Sequence, residues 1–294
     1  MHKIGFIGLG VIGKPMSKNL LNAGYELFVY DIVQNSVDDL VKAGAKVCSS
    51  PSEVASESDV VITMLPNSPE VSQVIMGPHG VIEGARSNTM VIDMSSIAPI
   101  ESQRIASALS EKGIRMLDAP VSGGEPKAID GTLSIMVGGN KTDFDECHEI
   151  LMRMGSQIVL CGAVGAGNIV KLANQIIVAL NIAAMSEALV FAAKAGVEPK
   201  TVYEAISGGL AGSNVLNAKA PLIFTRDFKP GFRIDLHVKD LQNVLETSHK
   251  IGVPLPLTSQ VMEILQSLKV AGLGGLDHSG MIQFYEKLSN ITIS

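Results

Sequence analysis

One lysine stands alone in a long uncharged stretch of the chain. Lys171 is the only charged residue of the segment Gly162–Ser186, and burial among apolar residues lowers the pKa of a lysine toward the range used in acid–base catalysis. On a helix, Gly167 four residues before it and Asn174 and Gln175 three and four residues after it share its face. The glycine would leave room for a substrate, and the amides would hold a substrate hydroxyl. A lysine that extends from a core helix to solvent is the alternative interpretation.

A glycine-rich turn near the start of the chain has the spacing of a dinucleotide-binding site. Its residues, Gly8-Leu9-Gly10-Val11-Ile12-Gly13, spell GxGxxG between a predicted strand, Lys3–Gly8, and a predicted helix, Gly13–Ala23. Such glycines permit a tight turn and close approach to a pyrophosphate, and the helix N-terminus presents N–H groups to the anion. Asp31 closes the next strand, 18 residues after the last glycine, where a carboxylate accepts hydrogen bonds from the adenosine ribose.

The residues around Asp31 favour one form of the cofactor. Its negative charge repels the 2′-phosphate of NADP(H), and its neighbours Ile32 and Val33 offer no arginine to bind that phosphate. We therefore expect NAD(H) as the preferred cofactor, with NADP(H) as a second cofactor that the site could accept. A structural glycine turn with a surface aspartate is the alternative, which the strand–turn–helix context disfavours.

Three more polar or glycine-rich loops follow predicted strands. In a doubly wound sheet, ligands bind at the carboxyl ends of the strands, so we expect these loops to border the cofactor and the substrate. The loops are Leu65-Pro66-Asn67, Ser95-Ser96 and Ser122-Gly123-Gly124. Successive backbone N–H groups of the third loop could bind a substrate carboxylate. Taken singly, each loop is equally consistent with an ordinary connection between a strand and a helix.

Strands alternate with helices in the first half of the chain and give way to helices alone in the second. Short β-branched strands that alternate with helices of about ten residues predict a parallel sheet with right-handed crossovers. We therefore predict an α/β fold, in which an N-terminal Rossmann-type doubly wound sheet over residues 1–162 precedes an all-α C-terminal domain over residues 163–294. One long inter-domain helix, Val164–Ala195, is apolar on nearly all sides, so we expect it to be buried between other elements.

Composition disfavours several classes of function. The 294 residues carry 23 basic and 29 acidic side chains, a net charge of −6, which argues against nucleic-acid binding. The six histidines form no HxxxH pair and the three cysteines no CxxC pair, so we expect neither a metal site nor a disulfide framework. Polar residues interrupt the long helix and no signal peptide opens the chain, so we expect a cytoplasmic protein without a membrane segment. The apolar helix suggests burial against a second copy of the chain, so we expect a homodimer or homotetramer. We expect the substrate to be a small molecule.

Four motifs occur in order along the chain: GFIGLGVIG at Gly5–Gly13, DAPVSGG at Asp118–Gly124, GAGNIVK at Gly165–Lys171, and Lys239-Asp240. Together they resemble the β-hydroxyacid dehydrogenase family over essentially all 294 residues. The resemblance implies that Lys171 is the catalytic acid and that Ser122-Gly123-Gly124 binds the substrate carboxylate. It also implies that Ser96 and Lys239 lie at the nicotinamide end of the cofactor. From the residues alone, Lys239-Asp240 would be a solvated charge pair.

Three longer segments narrow the resemblance within the family: Asp118–Gly139, Gly208–Pro221 and Phe228–Leu241. They are similar to the members that reduce tartronate semialdehyde (2-hydroxy-3-oxopropanoate) to D-glycerate. This implies hydride transfer to the aldehyde carbon, with Lys171 as general acid. A 3-hydroxyisobutyrate dehydrogenase or a succinic-semialdehyde-type reductase is the alternative within the family. A nucleotide-sensing protein without catalysis is the alternative outside it.

One departure from the family leaves an assignment open. Many relatives have an asparagine four residues after the catalytic lysine. Here that position is Gln175, and Asn174 precedes it. Either amide could contact the substrate.

Overall fold

The computed structural model describes residues 3–293, and the chain forms two compact units that divide between Lys171 and Leu172. The first unit contains a sheet covered by helices, and the described residues of the second contain helices and no strand. This confirms the predicted fold class, a Rossmann-type domain followed by a helical one. The predicted boundary at residue 162 coincides with the end of the last strand, whereas the compact units divide nine residues later, within the long helix.

The sheet of the first unit is nine-stranded. Its strands are β1 (Lys3–Ile7), β2 (Glu26–Tyr30), β3 (Lys46–Val47), β4 (Val60–Thr63), β5 (Met90–Asp93), β6 (Arg115–Asp118), β7 (Val121–Ser122), β8 (Leu133–Gly138) and β9 (Gly155–Gly162). Strands β3, β2, β1, β4, β5 and β6 lie side by side in that order and are parallel. This is the strand order of the doubly wound dinucleotide-binding fold. Beyond β6, strand β8 runs antiparallel to β6 and β7 and parallel to β9.

The carboxyl ends of the five central strands are level with one another. The register pairs Ile7 with both Tyr30 and Thr63, and it pairs Asp93 with both Thr63 and Asp118. The chain therefore leaves all five strands at one edge of the sheet. The glycine turn after β1 and the loops after β4 and β5 start at that edge.

Helices cover both faces of this sheet. They are α1 (Gly13–Asn22), α2 (Gln34–Lys42), α3 (Pro51–Glu57), α4 (Ser68–Met76), α5 (Val81–Gly84), α6 (Pro99–Ser110), α7 (Gly124–Ile129) and α8 (Lys141–Leu151). Successive strand residues enter opposite cores, since side chains alternate across a strand. Ile4, Phe6 and Ile62 belong to one buried apolar cluster, and Ile7 and Val61 to another. Burial on both faces is what the β-branched strands predict.

The second unit packs around one 29-residue helix, α9 (Ala166–Lys194), which begins in the first unit. The later helices are α10 (Pro199–Ile206), α11 (Asn214–Phe224), α12 (Ile234–Ile251), α13 (Pro256–Val270) and α14 (Ile282–Ser289), with a short 3-10 turn at His278–Met281. Ile182 and Leu189 of α9 share one apolar cluster with Leu241 of α12 and Leu265 of α13. The core of this unit therefore forms between α9 and the helices that follow it.

One face of α9 is not covered by the described residues of its own chain. Ile177 and Phe191 are 61% and 75% exposed, and Ala173, Ala184 and Ala188 are exposed as well. Spacings of three, four and seven residues place these five side chains on one stripe, named here the α9 stripe. Within the described residues, α9 is also the one helix long and apolar enough to cross a membrane by length and composition. An apolar sequence does not specify whether its own chain covers it.

Candidate active site

The glycine turn after β1 has the shape that a pyrophosphate requires. A Cβ at Gly8, where φ is 96°, would lie 2.3 Å from the carbonyl oxygen of Met64, and one at Gly13 would lie 2.0 Å from the carbonyl oxygen of Gly8. At Gly10, by contrast, the Cβ position has no atom of the described chain within 4 Å. The first and third glycines are therefore required by the turn and by packing, and the second leaves open space beside the backbone. These residues fit the pyrophosphate of a dinucleotide.

Asp31 lies directly after β2 and binds the glycine turn. Its carboxylate accepts the N–H of Leu9 at 2.5 Å and the N–H of Val33 at 2.7 Å. The two oxygens of a carboxylate have about four acceptor positions, so two remain for ribose hydroxyls. The side chain that follows, Ile32, is 90% exposed and carries no charge. The structure thus brings Asp31 to the turn, as the spacing predicts.

A buried carboxylate connects the loops that follow β4 and β5. Asp93 is fully buried and accepts the O–H of Thr63 at 2.8 Å and the N–H of Ser95 at 3.2 Å. The hydroxyl of Ser95 in turn accepts the N–H of Leu65 at 2.9 Å. Burial raises the pKa of Asp93 to about 6, against the opposing effect of its hydrogen bonds. The predicted cofactor loops, Leu65-Pro66 and Ser96, are therefore held together through a residue to which the sequence analysis gave no role.

The predicted carboxylate-binding loop lies between β7 and α7. Ser122 ends β7, where it pairs with Ser134 of β8, and Gly123 and Gly124 follow with φ values of 140° and 72°. Residues other than glycine rarely adopt such values. A Cβ at Gly123 would also lie 2.7 Å from the side chain of Lys127. Both glycines are required by the backbone of this loop.

Two buried polar residues hold the first turn of α9, which leads to Lys171. Asp118, the last residue of β6, accepts the N–H groups of Gly165 and Asn168 at 2.7 and 2.8 Å. The side chain of Asn168 accepts the N–H of Ile97 at 3.0 Å and donates to a serine hydroxyl of α6 at 3.1 Å. Burial raises the pKa of Asp118, although its backbone hydrogen bonds oppose the shift. The loop after β5, the end of β6 and the start of α9 are thus joined by hydrogen bonds within the first unit.

Lys171 itself is buried, with 7% of its surface exposed. This burial disfavours the alternative of a lysine that extends from a core helix to solvent. The prediction that Gly167 leaves room for a substrate is wrong. A Cβ there would lie 2.3 Å from the carbonyl oxygen of Met136, so this glycine serves the close packing of α9 on β8.

In the second unit, α12 binds two amides of α9. The Nε2 of Gln175 donates to Asp240 at 2.5 Å, and its Oε1 accepts from the Nδ2 of Asn174 at 2.9 Å. Asp240 also forms an ion pair of 2.8 Å with Lys239. The side chains of Lys239 and Asp240 are only 18% and 2% exposed, so the interpretation of a solvated charge pair is wrong. His237 adds a contact of 3.4 Å between its Nε2 and the backbone carbonyl oxygen of Gln175.

No role was predicted from the sequence for Asp93, Asp118, Asn168 or Asp240. For the first two, a signal was present, since Asp93 directly follows three apolar residues of β5 and Asp118 directly follows two apolar residues of β6. A carboxylate at the carboxyl end of such a strand is either buried with partners or placed at the ligand edge. The partners were not readable, because Asp118 and Asn168 are 50 residues apart.

The first unit contains the groups that carbonyl reduction requires, and the second unit is described by itself. The first unit has an open glycine turn for a dinucleotide, a glycine loop with exposed backbone, and the buried amine of Lys171. The second has an amide pair held by a buried carboxylate. No group of three or more histidine, cysteine or acidic side chains within residues 3–293 could hold a metal ion.

Two family models match the chain in succession. The model for the NAD binding domain of 6-phosphogluconate dehydrogenase matches residues 3–162. The model described as NAD-binding of NADP-dependent 3-hydroxyisobutyrate dehydrogenase matches residues 165–285. The prediction of a nicotinamide cofactor is thereby confirmed.

Known proteins are similar to this chain over nearly its whole length. The 2-hydroxy-3-oxopropionate reductase of Escherichia coli is 42% identical over 98% of this chain and 98% of its own. The 3-sulfolactaldehyde reductase of the same species is 36% identical over 96% and 95%. The structure of 3-hydroxyisobutyrate dehydrogenase from Mycobacterium tuberculosis with L-serine superposes with a TM-score of 0.90 at 32% identity, covering 97% of this chain and 99% of that one.

Proposed function

Because the chain belongs to the β-hydroxyacid dehydrogenase family and is thus a nicotinamide-dependent oxidoreductase, we propose that it reduces tartronate semialdehyde to D-glycerate. One observation carries the proposal of catalysis: a lysine that is 7% exposed, one turn beyond a helix start that is fixed by Asp118 and Asn168. Such a buried amine is a suitable proton donor to a developing alkoxide. The 42% identity to 2-hydroxy-3-oxopropionate reductase supports the choice of substrate.

The proposed reaction adds a hydride to the aldehyde carbon and a proton to the aldehyde oxygen. The nicotinamide, when bound, supplies the hydride. The Nζ of Lys171, as an ammonium group, donates its proton to the oxygen as negative charge develops there, and the neutral amine then regains a proton from solvent. Backbone N–H groups of Ser122-Gly123-Gly124 bind the substrate carboxylate. The two ends of a short substrate are then fixed, which orients the carbonyl for transfer.

We propose NAD(H) as the preferred cofactor, with NADP(H) accepted less well. The support is the carboxylate of Asp31, which is tied to the glycine turn through Leu9 and would repel a 2′-phosphate on the ribose. Asp31→Ala should raise the ratio of kcat/KM for NADPH to that for NADH by about tenfold, since two like charges no longer oppose each other. Steady-state rates with both cofactors measure this. An unchanged ratio would mean that Asp31 does not discriminate between the two cofactors at the adenosine ribose.

The substrate is tested by a panel of semialdehydes. Relatives of this chain are named for 3-hydroxyisobutyrate, 2-hydroxy-3-oxopropionate and 3-sulfolactaldehyde, so the shared scaffold accepts several short substrates with an anionic end. Rates with tartronate, methylmalonate and succinic semialdehydes, each with NADH and NADPH, decide among them. We expect the highest kcat/KM with tartronate semialdehyde. A higher value with another member would refute this choice, and tight NADH binding without any turnover would favour a nucleotide sensor.

We also propose that the α9 stripe binds a second copy of this chain. The stripe is apolar and extends over about 27 Å of helix from Ala173 to Phe191, and large exposed apolar surfaces mark association sites. Ile177→Asp combined with Phe191→Asp should convert a dimer or tetramer into monomers, as measured by light scattering after gel filtration. Glu149→Gln, an exposed residue of α8 in the first unit, is the control and should leave the mass unchanged. A monomeric wild-type protein at micromolar concentration would contradict the proposal.

A further inference from the structure

The loop Ser122-Gly123-Gly124, named here the carboxylate loop, is in close contact with a lysine of the helix that follows it. A Cβ at Gly123 would lie 2.8, 3.1 and 2.7 Å from Cβ, Cγ and Cδ of Lys127, so the stem of this lysine crosses the loop. The ammonium group is only two bonds beyond Cδ and therefore cannot lie far from the loop. Lys127 is exposed, so its charge is accessible to an anion that approaches from solvent.

Two hydrogen bonds to carbonyl oxygens fix the backbone from which this side chain starts. The Nδ2 of Asn19, on α1, donates to the carbonyl oxygen of Ala128 at 2.9 Å, and the N–H of Thr132 donates to the carbonyl oxygen of Lys127 at 2.9 Å. Ala128 is fully buried in the core of the first unit. Helix α7 is thus held against the helix that begins at the glycine turn, and Lys127 stays next to the carboxylate loop.

The direction of the lysine side chain agrees with helix geometry. Side chains on an α-helix tilt toward its N-terminus, and the carboxylate loop lies on the N-terminal side of Lys127. Asp130 follows α7 at its opposite end. Glu125 is two residues from Lys127, a spacing at which helical side chains do not face each other. The stem therefore carries the positive charge toward the loop and away from Asp130.

We propose that Lys127 is a specificity-determining residue that selects substrates with an anionic end, because its ammonium group pairs with the carboxylate bound by the loop. This inference rests on the proposed function, since it concerns the carboxylate of the proposed substrate. Backbone N–H groups bind a carboxylate through their dipoles, and an ammonium group adds a charge-assisted hydrogen bond, which is about twice as strong as a neutral one. In a protein of net charge −6, this charge also offsets the repulsion of an anionic substrate.

The first experiment removes the charge and keeps the stem. Lys127→Met retains an unbranched side chain over Gly123. We expect KM for tartronate semialdehyde to rise about tenfold, the low end of the range for a hydrogen bond to a charged group, because the site is open to water. The kcat should stay within about twofold, since the lost contact is equal in the ground state and the transition state. Glycolaldehyde has the same aldehyde and hydroxyl groups without the carboxylate, and its kcat/KM should change less than about twofold.

Two further variants separate the effect of charge from that of packing. Lys127→Arg keeps a positive charge at this position and should keep KM within about threefold of the wild type. Lys112→Met is the matched control: it removes an exposed lysine that precedes β6, at the edge of the sheet opposite the ligand edge, and should leave KM unchanged. Raising NaCl from about 0.05 to about 0.5 M should increase KM for the wild type and for Lys112→Met more than for Lys127→Met, since salt screens exposed charges.

A binding measurement tests the same residue without turnover. Malonate carries carboxylates but no aldehyde, and it is titrated by calorimetry into the wild type and into Lys127→Met, each saturated with NADH. We expect the dissociation constant of malonate to be about tenfold higher in the variant, while the dissociation constant of NADH, measured by fluorescence, stays within about twofold.

Three outcomes would overturn the proposal. They are a KM for tartronate semialdehyde in Lys127→Met within about twofold of the wild type, a loss of equal size with glycolaldehyde, and a malonate affinity that is equal in the two proteins or not measurable in the wild type. A wild type that reduces no semialdehyde but binds malonate more tightly than Lys127→Met does would instead refute the proposed function and support the assignment of Lys127.

Discussion

Each unit of the molecule buries an aspartate that accepts backbone N–H groups, yet the two carboxylates differ in their pKa. In the second unit, Asp277 accepts from Gly231 and Phe232 and is paired with Lys219, whose Nζ lies 3.0 Å from both carboxylate oxygens. Burial acts to raise its pKa, but the charges of His278 and Lys219 and the N–H groups together lower it to about 2. In the first unit, burial prevails and raises the pKa of Asp118.

The difference indicates what each carboxylate contributes. A carboxylate whose pKa is lowered on folding stabilises the folded state at neutral pH, and one whose pKa is raised destabilises it. Asp277 therefore supports the fold. Asp118, like Asp93, is retained at a cost in stability, and both lie at the ligand edge of the sheet, where they fix the loops and the helix that carry the site. Buried groups with raised pKa values are characteristic of functional sites.

The largest effect on stability is expected when Lys219 loses its anionic partner, Asp277. Asp277→Ala leaves the ammonium of Lys219 and several N–H groups without their acceptor, which costs about 3–5 kcal/mol of unfolding free energy. Urea unfolding measures the loss. Asp145→Ala, which breaks an exposed ion pair with Lys141, is the control and should cost less than about 1 kcal/mol.

The pH dependence of the unfolding free energy of the wild type provides a second test of the contribution of Asp277. Since the pKa of Asp277 is lowered from 3.8 to about 2, its contribution of about 2 kcal/mol is present above pH 4 and is lost as the pH falls through 2. Asp277→Ala should lack this component. An equal acid dependence in both proteins would contradict the pairing with Lys219.

Asp93→Asn should have the opposite pH dependence. The pKa of Asp93 is raised from 3.8 to about 6, so the carboxylate destabilises the fold increasingly as the pH rises from 4 through 6, and fully above that. The variant does not ionise, so its unfolding free energy relative to the wild type should increase by about 3 kcal/mol between pH 4 and pH 8. Unfolding curves at both pH values provide the measurement. A constant difference would mean that Asp93 is not the group that titrates.

A smaller effect, on catalysis, is expected from Asp118→Asn. One oxygen of the carboxylate is replaced by an NH₂ group that faces an N–H of Gly165 or Asn168, so the start of α9 shifts and Lys171 with it. We expect kcat to fall about tenfold, because small displacements of a catalytic group are costly, while the dissociation constant of NADH stays within about twofold. Asp59→Asn, an exposed aspartate after α3, should leave kcat unchanged. Equal kcat values in the wild type and both variants would mean that Asp118 does not position Lys171.

Most of the fold was predictable because it depends on local signals. Runs such as Glu26–Tyr30 and Met90–Asp93 are short, have apolar centres and lie between predicted helices, and the structure has strands there. Helix α3 likewise begins with a local signal: Ser50 accepts the N–H of Glu53, and a proline follows at the first helical position. The antiparallel course of β8 was not predictable, since strand direction depends on pairing between distant segments.

The candidate site was predictable only where one motif contains all the residues required. The three glycines of the turn have distinct steric roles that follow from their spacing alone. By contrast, Gln175 and Asp240 are 65 residues apart, and the sequence left open which amide of α9 is used. The long apolar helix shows the same limit, because composition defines an apolar surface but not the partner that covers it.

The central claim is that Lys171 is the proton donor of a carbonyl reduction. Lys171→Met keeps an unbranched apolar stem and removes the ammonium group, and its kcat is to be measured with the semialdehyde that the wild type reduces best, beside a fluorescence titration with NADH. We expect kcat to fall by about 10³-fold, the middle of the range for loss of a general acid, with NADH affinity within about twofold of the wild type. A variant that retains more than about a tenth of the wild-type kcat would contradict the claim.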